Sequence, residues 1–225
     1  KTGESWFRQD GEKRRIPAST IKLFTSAVAL DRLGSNHVFK TEVRQHDDTL
    51  YLVGNGDPVL HLNDLNRLAR TAVNALGTRR IKNIRLDDSL FQGGVLPPGF
   101  DKKNTDSAYR ASVGAVALHG GTAKVSVFPS REGQAPRVKI EPPGRYVRID
   151  NQALSVSGSG STIRLAMKPD GKHSKVHVTG RIGRKRATRP IWGVRRLEDP
   201  PLATAYAFAA LIEKHCQCTI NKTIK

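Results

Sequence analysis

Between Val113 and Val178 the chain alternates apolar and polar residues in one short stretch after another, and this alternation most narrows the folds open to it. The stretches are Val113–Leu118, Ala123–Phe128, Arg137–Ile140, Tyr146–Ile149, Thr162–Met167 and Lys175–Val178. A period of two sends alternate side chains to opposite faces, which predicts half-buried antiparallel strands. Ser155–Ser161 is a Ser-Gly tract that reads as a hairpin tip. Helical spacing appears on either side of this region. Asp64–Leu76 is amphipathic and stops at Gly77, and Ala203–Lys214 follows an Asp199-Pro200-Pro201 start signal. Val38–Val43, Thr49–Val53 and Ile81–Leu86 read as further strands, residues 1–16 as a short hairpin, and residues 92–108 as a Gly/Pro/Asp-rich loop. The expected class is α+β.

Composition sets the remaining bounds. The chain has 225 residues, 37% of them apolar and 26% charged, enough for one large domain or two small ones. No apolar run approaches the roughly 18 residues a membrane span needs. Lys+Arg outnumber Asp+Glu by 38 to 20, a formal charge of +18 that attracts polyanions without choosing among them. Arg181, Arg184, Lys185, Arg186 and Arg189, followed by Arg195 and Arg196, form the densest basic cluster; it reads as a solvated loop or as a polyanion patch. Cys216 and Cys218 are separated by one residue and look poorly placed to bridge each other. The seven histidines form no HExxH pattern, and His173 and His177 flank a strand, so neither a metal nor a cofactor is expected.

The sharpest chemical signal is Ser19 with Lys22. Pro17 suits the first turn of a helix. Leu23, Ala27, Leu30 and Leu33 then recur at helical spacing up to Gly34, predicting one buried helix of about four turns. Residues three apart share a helix face, with Cβ atoms about 5–6 Å apart. That spacing lets a neutral amine take the proton of a serine hydroxyl, and the helix N-terminus favours the developing alkoxide. Lys22 has to be uncharged to act as base, a state that burial beside other cations promotes.

Ile16-Pro17-Ala18-Ser19-Thr20-Ile21-Lys22-Leu23 resembles the active-site helix of the penicillin-binding serine D-Ala-D-Ala peptidases, in particular the class C, low-molecular-mass carboxypeptidase/endopeptidase family. Further segments are similar to that family in the same order. They are Leu50-Tyr51-Leu52-Val53-Gly54-Asn55-Gly56-Asp57-Pro58, Asp87-Asp88-Ser89-Leu90-Phe91, Pro97-Pro98-Gly99-Phe100, Tyr146-Val147-Arg148-Ile149-Asp150-Asn151 and Glu198-Asp199-Pro200-Pro201. The resemblance implies part of a penicillin-binding, serine β-lactamase-like transpeptidase domain with a large, mostly antiparallel β-rich insertion. It implies a serine-type D-Ala-D-Ala carboxypeptidase/endopeptidase acting on peptidoglycan stem peptides, with no cofactor. Ser19 would be the nucleophile and an oxyanion-hole donor through its N–H, Lys22 the general base, and β-lactams would acylate the same serine. Asp106 and Tyr109 resemble an inserted stretch over the family's cleft, where they would receive the amino end of a diaminopimelate-type side chain; the plainer reading is a loop acid and a packed tyrosine.

On this reading residues 1–45 begin the catalytic domain, 46–190 form the inserted domain or domains, and 191–225 return to the catalytic domain. The family's Ser-x-Asn does not occur in the sequence, and Lys1-Thr2-Gly3 precedes the helix, where it reads as a turn. The expectation is a trimmed N-terminus with its signal peptide removed, a periplasmic or secreted location, and a C-terminal portion beyond Lys225 carrying Ser-x-Asn and Lys-Thr-Gly. Expected partners are the peptidoglycan peptide, β-lactams and anionic envelope polymers. Nucleic acid is the weaker candidate because no stacking motif accompanies the charge. The alternatives are a catalytically incomplete, envelope-binding relative and, behind it, a basic polyanion-binding module.

Overall fold

The computed structural model describes residues 3–77, 81–96 and 105–224. Its contacts separate two units, Lys1–Val38 and Phe39–Lys225. The first carries α1 (Ile21–Leu33), entered through a 3-10 turn over Ala18–Thr20. Gly34 ends it: its N–H bonds to Leu30 O at 3.0 Å while its φ of +77° takes the chain into a region that favours glycine.

Two expectations fail in this unit. No strand forms in the described part of residues 1–16; ion pairs Arg8–Glu12 and Arg15–Asp10 shape a turn in place of the hairpin. Nor is the helix buried. None of its residues is buried, and Leu23 is 72% exposed. Among the described residues of this unit no second α-helix or strand lies across the apolar stripe.

The second unit runs, in chain order, β1 (Glu42–His46), β2 (Thr49–Val53), α2 (Leu62–Leu76), β3 (Asn83–Asp87), β4 (Thr122–Phe128), β5 (Arg137–Glu141), β6 (Val147–Asn151), β7 (Leu154–Val156), β8 (Arg164–Asp170), β9 (His173–Thr179), β10 (Arg181–Gly183), β11 (Ile191–Arg196), α3 (Pro200–Cys216) and β12 (Lys222–Ile224). Its described strands make four sheets, ordered β1-β2-β3-β12, β11-β4-β5, β6-β9-β8 and β10-β7. Two apolar clusters fill it. In the first, Leu50 and Leu52 of β2 and Ile84 and Leu86 of β3 pack with Leu65 and Ala69 of α2 and Phe208 and Ile212 of α3. In the second, Val125 and Val127 of β4, Val176 and Val178 of β9, Ile182 and Leu197 pack with Leu202 and Ala203 at the start of α3. Helix α3 serves both clusters, which explains why it is apolar nearly all round. Asp199 caps it by accepting the Leu202 N–H at 3.0 Å, with Pro200 and Pro201 at its first positions.

The antiparallel character expected between Val113 and Val178 holds for three of the five pairings described there: β4–β11, β4–β5 and β8–β9 are antiparallel, and β6–β9 and β7–β10 parallel. Outside that region β1–β2 is antiparallel and β2–β3 and β3–β12 are parallel. Alternation reports that a strand is half-buried but not the direction of its neighbour. The first strand also lies later than Val38–Val43, because a turn at Asp47, with φ +50°, sets the register of Glu42–His46 against Thr49–Val53. The Ser-Gly tract begins as β7, paired with β10, and only its remainder turns.

Val113–Leu118 is not a strand. Its backbone groups are already engaged: Ala115 N–H by Asp88 Oδ1 at 2.6 Å, Ala115 O by the Gly56 N–H at 2.7 Å, and Leu118 N–H by Thr204 Oγ1 at 3.0 Å. Only an isolated parallel bridge, Asp57 to Val116, remains of the ladder. Gly54 permits this approach, since a Cβ there would lie 2.6 Å from Ala115 C and O.

Cys216 and Cys218 form a disulfide, against the expectation from their spacing. Helix α3 ends at Cys216, and Gln217 then adopts φ +53°, folding the chain back so that the two Cα atoms stand 5.2 Å apart, within bridging range. The closed loop is so short that its cross-link removes little chain entropy. Replacing both cysteines by serine is therefore expected to cost only about 1–2 kcal/mol, measured by urea unfolding.

Candidate functional site

Ser19 sits in the middle of the 3-10 turn and Lys22 in the first turn of α1, so one short reversal positions both. Pro17, with φ −70°, starts the turn, and its carbonyl accepts the Thr20 N–H at 3.0 Å and the Thr20 hydroxyl. Ala18 between them has φ +46°, a left-handed conformation that costs an alanine free energy and turns the chain sharply just before Ser19. Both site residues are exposed, and among the described residues neither side chain has a hydrogen-bond or ion-pair partner. The arrangement offers an accessible hydroxyl and an amine three residues apart at a helix start.

Asp106 and Tyr109 belong to the second unit. Asp106 Oδ2 accepts Arg195 Nε at 3.0 Å and the Met167 N–H at 2.9 Å, and its carbonyl accepts the Arg196 N–H at 3.0 Å. The acid therefore ties the Thr105–Arg110 segment to β8 and β11. Arg195 completes the knot by donating to Leu165 O at 3.1 Å and Val194 O at 3.0 Å. Tyr109, in a 3-10 turn over Ala108–Arg110, is 85% exposed, with the Arg110 guanidinium 6.0 Å from its ring centre. Of the basic cluster, Arg195 is thus structural, and Arg186 Nε donates to Ser159 O at 2.7 Å.

The segments that carried the family resemblance converge as scaffold. Gly54 N–H bonds to Asp87 O at 3.0 Å, Asp88 holds Ala115, and the Tyr146 hydroxyl accepts the Asp199 N–H at 2.7 Å. Ser89 donates to the Asp87 carboxylate through both hydroxyl and N–H, which keeps that acid below its ordinary range. Burial pushes the Tyr146 phenol above its ordinary value. Pro97–Phe100 and Lys1-Thr2 lie outside the described residues.

One feature escaped the sequence reading. His61 caps α2 in a reciprocal box with Asp64, and its Nδ1 lies 3.3 Å from Nδ1 of His119. Residues so far apart in the chain give no local signal of meeting. Burial lowers the pKa of His119, the neighbouring His61 lowers it further, and Glu141 opposes both. A histidine whose folded pKa is depressed binds fewer protons folded than unfolded, so stability falls as pH drops below about 6.5. His119→Asn, which tolerates the residue's φ of +51°, is expected to flatten the loss of Tm between about pH 7.5 and 5.5 relative to the parent chain. An unchanged slope would assign that loss to other groups.

Among the described residues no three His, Cys, Asp or Glu gather as a metal site, and no helix is long and apolar enough to cross a membrane. Comparison with known proteins gives a consistent picture. The family model described as D-Ala-D-Ala carboxypeptidase 3 (S13) matches residues 1–221. The chain is 31% identical over 229 residues to a D-alanyl-D-alanine carboxypeptidase of Actinomadura sp. (strain R39), covering 95% of this chain and 42% of that protein. It is 30% identical over 149 residues to carboxypeptidase DacB of Mycolicibacterium smegmatis, covering 60% and 32%. Its fold is similar to that of penicillin binding protein 4 from Haemophilus influenzae, with a TM-score of 0.61 at 16% identity over 93% of this chain and 48% of that one. The chain thus spans less than half the length of each of these relatives.

Proposed function

The chain belongs to the D-Ala-D-Ala carboxypeptidase 3 (S13) family, and we propose that it is the nucleophile-bearing part of a serine D-Ala-D-Ala carboxypeptidase/endopeptidase acting on peptidoglycan stem peptides. The observation that carries this reading is the position of Ser19 and Lys22 on one exposed turn at the start of α1, inside the matched span. Lys22, as the free amine, takes the Ser19 proton while Oγ attacks the carbonyl carbon between two D-alanines. Collapse of the tetrahedral intermediate breaks the C–N bond, and the departing D-alanine amine receives the proton. Water then hydrolyses the Ser19 ester. The Ser19 N–H, near the helix start, is the proposed donor to the oxyanion.

Asp106 and Tyr109 complete the proposal as contacts for the amino end of the stem-peptide side chain. The Arg195 and Met167 contacts to the Asp106 carboxylate both fall on Oδ2, so a substrate ammonium is expected at Oδ1, with the exposed phenol of Tyr109 three residues along the chain as its second contact. The division into a catalytic start over 1–45, an insertion over 46–190 and a return from 191 belongs to the same reading. It has to accommodate the pairing of β11 with β4 and of β12 with β3 inside the second unit. Work on stem peptides places the protein in the periplasm or outside the cell, where the Cys216–Cys218 bridge would persist.

The test is fluorescent-penicillin labelling of the intact protein followed by peptide mapping. A stable adduct on Ser19 is expected; an unlabelled protein, or an adduct elsewhere, overturns the proposal.

A further inference from the structure

The β11-β4-β5 sheet has one buried and one open face. Ala123, Val125 and Val127 of β4 point into the core, with Ile191, Gly193 and Arg195 opposite them on β11. The intervening residues form the other face, and the register arranges them in rows. Phe128 stands opposite Arg137. Next come Trp192, Ser126 and Lys139, then Val194, Lys124 and Glu141, and last Arg196 opposite Thr122. Successive rows lie roughly 7 Å apart, and neighbouring strands about 4.8 Å apart.

This face is unusual in two ways. Trp192 is 60% exposed at the second position of β11, with Lys124 Nζ 5.1 Å from its ring centre. An indole held open on a flat sheet face offers a ligand both an apolar ring face and a polar N–H. Four cations share the face with one acid: Arg137, Lys139, Lys124 and Arg196 against Glu141. Among the described residues none of the four has an acidic partner in hydrogen-bonding range, so their charge is available to a ligand.

We propose that this face is a second binding site, docking the peptidoglycan of the cell wall through a sugar ring and the free carboxylates of the stem peptides attached beside it. The apolar C–H face of a pyranose ring lies on the Trp192 indole, and carboxylates beside it meet Lys139, Lys124 and Arg137, one or two rows away. The choice of polymer rests on the proposed function, and the geometry disfavours nucleic acid. A single-strand platform presents successive open aromatics, whereas here Phe128 is half-buried under the Arg137 guanidinium, 4.8 Å from its ring centre, and Trp192, with Lys124 over one face of its ring, is the one aromatic of this sheet face that stays exposed.

The experiment is co-sedimentation of the intact protein with purified insoluble peptidoglycan at physiological ionic strength. Trp192→Ala and the pair Lys124→Gln/Lys139→Gln are each expected to weaken binding at least about tenfold. Trp192→Phe, which keeps a ring, recovers most of it and shows that loss in the alanine variant is not misfolding. The pair Arg181→Gln/Arg184→Gln removes equal charge from the neighbouring basic turn and retains binding. Equal loss in that control, no loss in Trp192→Ala, or tighter Trp192-dependent binding to a single-stranded oligonucleotide overturns the proposal. Penicillin acylation is scored on the same protein. Sedimentation without acylation refutes the hydrolase reading alone, and acylation without sedimentation refutes this face alone.

Discussion

Replacing Ser19 by alanine is expected, on the proposed function, to leave the intact protein without covalent penicillin and to lower D-alanine release by at least about three orders of magnitude. The size follows from chemistry that no neighbour can replace: without Oγ there is no atom to carry the acyl group. Lys22→Ala leaves the hydroxyl in place but removes the proposed proton acceptor, so acylation is expected to slow by about 10²–10⁴ with the adduct still forming on Ser19. This pair of results separates nucleophile from base, since one variant loses the intermediate and the other only its rate. Burst kinetics with a chromogenic β-lactam reads both. Acylation of Lys22→Ala at the parent rate would remove that lysine from the mechanism. Because Ser19 and Lys22 are exposed and without side-chain partners among the described residues, neither substitution disturbs packing, and the loss can be read as chemistry.

Phe208→Ala is expected to destabilise the second unit by about 3–5 kcal/mol and to lower its Tm by roughly 6–20 °C. Phe208 is fully buried in α3, within the cluster that joins β2, β3 and α2 to that helix. Truncation removes the transfer free energy of the ring and leaves a cavity among Leu, Ile and Ala side chains that cannot all move in. Since domains are stable by only about 5–15 kcal/mol, one such change uses a large share of the margin. Thermal unfolding followed by circular dichroism measures it, and a shift below about 3 °C would mean that the site collapses around the missing ring.

The elements were legible where local chemistry is decisive. Gly77 and Gly34 stopped their helices, Asp199-Pro200-Pro201 started α3, and the Ser19–Lys22 spacing stood out because a helix start places both on one turn. The segments quoted for the family resemblance were equally visible, but the structure gives several of them architectural work. Gly54 clears room for Ala115, Asp88 holds that residue's N–H, and Tyr146 anchors Asp199. Such a set identifies a scaffold more firmly than it identifies a reaction. Val113–Leu118 misled because its alternation is genuine while its hydrogen bonds go to a turn, a carboxylate and a threonine.

Periodicity, caps and the Ser-x-x-Lys spacing therefore located α1, α2, α3 and most of the strands, Val113–Leu118 and residues 1–16 excepted, and marked where a nucleophile could lie, since each depends on interactions within a few residues. Tertiary structure alone decided the direction of the β2–β3 and β6–β9 pairings, the burial of α3 as against the exposure of α1, the meeting of His61 with His119 and the open face around Trp192. Those outcomes depend on which distant surfaces compete to be covered, and a local pattern of apolar residues holds no record of its partner.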